Sequence, residues 1–173
     1  MRIGIDISQI VYEKTGVSDY LKSLVEELLR IDKKNDYILF YSSLRRSLPK
    51  FNLQNPRAKI KKFRFPPTVL DFIWNRLHIL PIERLIGKVD LFITSDWTEP
   101  PSSSKKATII YDLIIYKNPE ETAKKIIAVQ KRKLNWVKKE SDIVFCISEA
   151  TKEDAVSILG IEEKKLKVIY PGA

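Results

Sequence analysis

At 173 residues, with 44% hydrophobic and 31% charged side chains, the chain has the size and composition of one soluble globular domain, not a disordered tail. A single cysteine, Cys146, and a single histidine, His78, exclude an internal disulfide and a zinc cluster, and the length is enough to bury a core without either. Lys and Arg number 31 against 22 Asp and Glu, a formal net charge of +9 that brings acidic surfaces into consideration as partners. No run approaches the roughly 18 apolar residues of a membrane span. The opening Met1-Arg2-Ile3-Gly4-Ile5-Asp6 lacks the long apolar stretch of a signal peptide, so a cytoplasmic location is expected.

Ile3, Ile5 and Ile7 alternate with small or polar residues and predict a strand over Arg2–Ile7. A turn-rich loop through Lys14-Thr15-Gly16 follows. Leu21, Leu24, Val25, Leu28 and Leu29 then recur at helical spacing, predicting a helix over Ser18–Arg30 capped by Ser18 or Thr15. Tyr37–Tyr41 is a continuous apolar run of strand length, as in a strand covered on both faces. Arg45–Pro56 reads as a basic loop, Ala58–Phe65 as a strand near a sheet edge, and Val69–Ile86 as a helix broken by Pro81. Further strands are expected at Val89–Thr94, Ala107–Tyr111, Asp142–Ile147 and Leu166–Tyr170. Between them lie a helix over Thr122–Glu140 and one that starts at a Ser148 cap and stops before Gly160. Strands alternating with helices predict an α/β fold: a Rossmann-like, doubly wound, mainly parallel sheet with helices on both faces.

In such sheets ligands bind beyond the carboxyl ends of the strands, at helix N-termini. The loop Ile10–Asp19 carries Gly16 and Val17, where backbone can approach a phosphate closely; a plain turn glycine is the alternative. Neither G-x-G-x-x-G nor G-x-x-x-x-G-K-[ST] is present, so neither a dinucleotide fingerprint nor a P-loop is supported. In Thr94–Glu99, Asp96 and Glu99 can accept hydrogen bonds from hydroxyls and Trp97 can stack on a sugar; a solvated loop with one anchoring aromatic is the alternative. Tyr111-Asp112 ends a strand, where the carboxylate either orients a substrate hydroxyl or caps the next turn. Ser148 is a helix N-cap or an acceptor contact, and Pro171-Gly172 is a turn leaving the sheet. His78 lies in an apolar stretch and is expected to pack, not to catalyse. Cys146, between Phe145 and Ile147, reads as a buried inert thiol.

The basic residues fall in scattered clusters, and a solvated surface accounts for them. The Thr122–Glu140 segment also pairs an apolar stripe (Ala123, Ile126, Ile127, Leu134, Val137) with a cationic face that includes Lys124, Lys125, Lys131 and Lys133. That pattern suits acidic phospholipid head groups, with Trp136 at the interface. No helix-turn-helix, RNP or zinc motif is present, and no nucleic-acid partner is expected.

Three blocks together resemble the N-terminal domain of a family-4 (group 1) glycosyltransferase of the GT-B fold. They are Gly16-Val17-Ser18-Asp19-Tyr20 after the first strand; Ile109-Ile110-Tyr111-Asp112-Leu113 with Asn118-Pro119-Glu120; and Asp142 through Asp154 followed by Gly160-Ile161 and Lys167-Val168-Ile169-Tyr170-Pro171-Gly172. The last block is the most specific, and the resemblance covers essentially all of residues 1–173. It implies an acceptor-side domain in a retaining enzyme that moves a sugar from a nucleotide-sugar donor to a glycan, lipid or small-molecule acceptor. No metal or resident cofactor is implied, the nucleotide-sugar being a co-substrate. Gly16 and Val17 match the loop facing the donor phosphates, and Asp112 matches the family's Asp. Tyr111 stands where the family has a histidine; a phenol donates a hydrogen bond but shuttles protons poorly at neutral pH. The family's second domain, which binds the nucleotide-sugar and neutralises the leaving diphosphate, is absent from this chain. The fragment alone is therefore expected to be inactive. A stand-alone, non-catalytic module docking on acidic membranes is the other expectation.

Overall fold

The computed structural model describes residues 1–50, 53 and 55–172; Phe51, Asn52 and Gln54 of the expected basic loop, and Ala173, lie outside the described residues. Seven strands form one sheet: β1 (Arg2–Asp6), β2 (Asp36–Ser42), β3 (Ala58–Phe63), β4 (Leu91–Thr94), β5 (Lys105–Ile110), β6 (Ile143–Cys146) and β7 (Leu166–Val168). Their order is β3-β2-β1-β4-β5-β6-β7, and every neighbouring pair is parallel. The fold is thus the expected Rossmann-like α/β sheet. The chain winds outward from β1 to β3, then returns to β1's other side and winds out to β7. The reversal between β1 and β4 opens a crevice at their carboxyl ends.

Helix α1 (Gly16–Ile31) covers one face, laying Leu21, Val25 and Leu29 on Ile3, Ile5, Tyr37 and Leu39. Its cap is Thr15, whose Oγ1 accepts from the Ser18 amide at 3.3 Å, while Ser18 Oγ donates to the Ile10 carbonyl at 3.0 Å. The other face is covered by α2 (Pro67–Leu70) and the π-helical turn Asp71–Arg76, by α3 (Glu83–Ile86), and by the longer α5 (Lys124–Glu140). The short α4 (Ile114–Lys117) precedes α5, and α6 (Glu149–Ser157) follows β6. Gly4 admits close packing here: a Cβ on it would lie 2.7 Å from Phe92 Cδ2 and 2.9 Å from Ile86 Cδ1.

Val69–Ile86 is not the once-broken helix its composition predicts. The helix opens into a π turn and stops at Arg76, and His78 and Leu80 take positive φ. Side-chain bonds to the backbone compete with helical ones there. Trp136 Nε1 donates to the Asn75 carbonyl (2.9 Å), Trp74 Nε1 to the Leu80 carbonyl (3.0 Å), and His78 Nδ1 lies 2.8 Å from the Trp74 carbonyl. The stripe expected on α5 is also corrected. Val129, Lys133, Leu134 and Val137 are its buried residues, Ala123 and Ile126 are exposed, and Lys133 belongs inside rather than on the cationic face. Trp136 is engaged internally, stacked on His78 with ring centroids 3.5 Å apart, and is not free for a membrane interface. Cys146 is buried as expected, and burial pushes its thiol up to about 11.

Candidate functional site

The carboxyl edge of the sheet holds a groove of about 820 Å³. One wall is α1, with Gly16, Val17 and Tyr20; the other carries Tyr111 and Asp112 after β5, Ile147 after β6, and Tyr170. Four residues singled out in separate sequence segments, Gly16, Val17, Tyr111 and Asp112, therefore share one concavity. Tyr20 closes its floor: its hydroxyl donates to the Ile169 carbonyl at 2.9 Å, and its ring meets Tyr111 edge-on at 5.6 Å. The first turn of a 16-residue helix leaves amides directed out of its tip, the arrangement that holds phosphate. Asp19 and Glu27 line the same helix wall, which leaves Gly16 and Val17 as the side favourable to an anion. A Cβ on Gly16 would meet nothing within 4 Å, so the bare backbone there is not a packing requirement of this chain.

Tyr111 is buried, and its hydroxyl lies 2.9 Å from Ser95 Oγ. Burial holds the phenol well above its usual range, so it stays protonated and acts through its hydrogen bond, not as a base. Asp112 is exposed, and one carboxylate oxygen accepts from the Ile114 amide at 3.1 Å, capping the turn into α4.

Beside the groove, the crevice between β1 and β4 is packed with polar groups. Asp6 ends β1, and Thr94 and Thr108 pair across β4 and β5 on the α5 side. Thr94 Oγ1 donates to Glu99 Oε2 at 2.6 Å and lies 2.7 Å from Thr108 Oγ1. Lys133 reaches down from α5, its Nζ 3.1 Å from Thr108 Oγ1. Burial pushes the Lys133 ammonium down, against the opposing pull of Glu99, Asp96 and Asp6. The Asp6 and Asp96 carboxyls are both raised by burial, with Lys133 pulling each back. A chain of charges continues outward: Lys106 Nζ sits 2.9 Å from both Glu99 Oε1 and Glu140 Oε2, and His78 Nε2 lies 2.8 Å from Glu140 Oε1.

The remaining candidates separate. Asp96 is half-buried and accepts from Gln130 Nε2 at 3.0 Å. Trp97 lines a slot with Asp6, Ser8 and Thr98, of about 20 Å³, room for one water-sized group. Glu99 is 0% exposed and bound to Thr94 and Lys106, so it faces inward and not toward an acceptor hydroxyl. Ser148 caps α6, accepting from the Thr151 amide at 3.1 Å. Sequence reasoning missed Lys133 and Lys106 because it read lysines as surface charge. The signal was present for the first: Val129, Lys133 and Val137 are spaced by four residues along one helix face.

Among the described residues no cluster of three or more His, Cys, Asp or Glu could hold a metal ion, and no helix is long and apolar enough to cross a membrane. No family model and no curated protein matches the chain. Among solved structures, it is similar to an α-glucosyltransferase in complex with UDP and a 13-mer DNA containing an HMU base, at 12% identity and a TM-score of 0.48. That likeness covers 100% of this chain, which spans 43% of the length of the glucosyltransferase.

Proposed function

We propose that this chain is the acceptor-side lobe of a two-lobed GT-B glycosyltransferase, resembling family 4, whose second lobe supplies the nucleotide-sugar site. The observation that carries the reading is the convergence of Gly16, Val17, Tyr111 and Asp112 on one groove at the carboxyl edge of the sheet. The tip of α1 faces the donor diphosphate, and Gly16 lets backbone amides approach it without a side chain between them. Tyr111, held protonated, donates a hydrogen bond to the reacting groups. Asp112 is the exposed carboxylate that orients the acceptor hydroxyl. Glycosyl transfer breaks the bond between the sugar and the diphosphate and forms one to the acceptor oxygen, with retention at the anomeric carbon. The charge left on the diphosphate needs a cationic second lobe, because the groove wall here carries Asp19, Glu27 and Asp112. This chain alone is accordingly inactive.

A transfer and donor-hydrolysis screen tests the reading, using the intact protein and a panel of nucleotide-sugars. Turnover of at least one donor by the intact protein, and none by residues 1–173 alone, is the expected result. Silence of the intact protein toward every nucleotide-sugar contradicts the assignment.

A further inference from the structure

The net charge of the protein is concentrated at one side of the sheet. Residues 37–70 hold eight Lys and Arg and no Asp or Glu, which accounts for all but one unit of the formal +9. The stretch runs through β2 and β3, and β3 is the edge strand on that side. On β3, Lys59 and Lys61 stand on the sheet face that carries Phe40 and Phe63, and Lys62 stands on the face that carries Ile60 and α1. Arg57 precedes the strand and Arg64 follows it. All five cations are exposed, and among the described residues only Arg57 has an acidic partner, Asp36 at 3.6 Å.

The same strand leaves one row of backbone groups open. The Tyr37 amide donates to the Arg57 carbonyl at 2.9 Å and the Ser43 amide to the Phe63 carbonyl at 3.2 Å, so the odd-numbered residues of β3 bond to β2. The intervening Ile60 and Lys62 turn their N–H and C=O groups outward, and none of these has a partner among the described residues. An extended chain laid there continues the ladder and meets cations on both faces. Lysines on an edge deter pairing with a like edge, because like charges then lie side by side. Here they deter a second copy of this chain, whose β3 would set Lys59, Lys61 and Lys62 against their own kind, and they favour a strand with acidic side chains. None of residues 57–64 lines the groove, so this edge is a separate surface.

We propose that β3 is a strand-addition edge for an extended acidic segment of a partner protein. Backbone hydrogen bonds to Ile60 and Lys62 hold the segment in register. Carboxylates beside Lys59 and Lys61 select it by charge, and an apolar side chain fits beside half-buried Ile60 on the other face. The inference is independent of the transferase reading.

A labelled, capped peptide of alternating Glu and Val, about eight residues long, tests it with the 173-residue chain. Fluorescence anisotropy should show saturable binding that weakens as salt screens the charges. Hydrogen exchange at the Ile60 and Lys62 amides should slow in the complex, because a paired N–H exchanges more slowly than an open one. A peptide of alternating Lys and Val should not bind. Lys59→Glu with Lys61→Glu lowers the affinity by about tenfold or more, with an unchanged circular dichroism spectrum because both side chains are exposed. Lys62→Pro removes an outward N–H without touching the bonds to β2 and loses binding, whereas Lys62→Gln retains most of it. Absence of binding at low salt, equal binding of the Lys–Val peptide, or equal binding by the Lys59/Lys61 variant overturns the proposal. Binding that leaves exchange at Ile60 and Lys62 unchanged overturns it in the unmodified protein. So does an oligodeoxythymidylate that binds as tightly as the acidic peptide and displaces it, since the edge then reads charge alone.

Discussion

Lys133 has the least ordinary setting of any charged residue in the described structure: 1% exposed, with its ammonium within hydrogen-bond distance of one hydroxyl and facing three carboxylates. Replacing it by Met leaves buried Asp6 and half-buried Asp96 without their cation, and losing one member of a buried pair costs about 3–5 kcal/mol. The pH dependence has a definite sign. Both carboxyls already titrate above 3.8 in the folded protein, and losing Lys133 raises them further. The folded variant then binds more protons than the unfolded chain above 3.8, so its stability falls as pH rises through that window. Lys133→Met should therefore be closer to wild type at about pH 5 than at about pH 7 in urea denaturation. On the alkaline side, wild type gains stability as pH climbs toward 10.5, because folded Lys133 releases its proton first, and the variant lacks that gain. An equal deficit at both acidic and neutral pH would show that Lys133 does not compensate these carboxylates. A lysine's charge is plain in the sequence, but its burial depends on what the opposite element offers. Only the four-residue spacing from Val129 and Val137 hinted at it.

At the scale of elements, the strands and α1 were legible because apolar periodicity and burial agree in them, whereas α5 was legible as a helix but not in its buried stripe, which holds Val129 and Lys133 in place of Ala123 and Ile126. Leu21, Val25 and Leu29 face Ile3 and Ile5 as their spacing dictates. Strand ends drifted by a residue or two, as at Ala58–Phe65, where pairing stops at Phe63. Val69–Ile86 was misread for a physical reason: its helical composition competes with indole and imidazole bonds to the backbone, and two of those bonds come from Trp74 and Trp136 ring nitrogens that no local pattern reports. Gly4 shows the reverse case, a requirement set wholly by a neighbour. Its φ is ordinary, but Phe92 of the neighbouring β4 and Ile86 of α3 lie so close that a methyl group meets both. Gly4→Ala should destabilise the fold by about 1–3 kcal/mol through overpacking, read as a lower denaturation midpoint at unchanged slope. A neutral result would mean that the Phe92 and Ile86 side chains give way at little cost.

Across the whole molecule, sheet topology turns scattered residues into a site. The order β3-β2-β1-β4-β5-β6-β7 sets the β1 and β4 carboxyl ends side by side and puts the tip of α1 opposite the ends of β5 and β6. The sequence offered Gly16, Val17, Tyr111 and Asp112 as separate loop residues, and only the winding of the chain makes them neighbours. The inward-facing Glu99 marks the limit of that reading, because a loop carboxylate looks solvent-facing until its lysine partner on the next strand is known. Gly16 is the sharpest probe of the groove, since nothing lies within 4 Å of a Cβ placed there. Gly16→Val in the intact protein should lower kcat/KM for the nucleotide-sugar donor by about tenfold or more while leaving the melting temperature unchanged. Wild-type kinetics toward the donor in that variant would contradict a phosphate-facing role for the tip of α1.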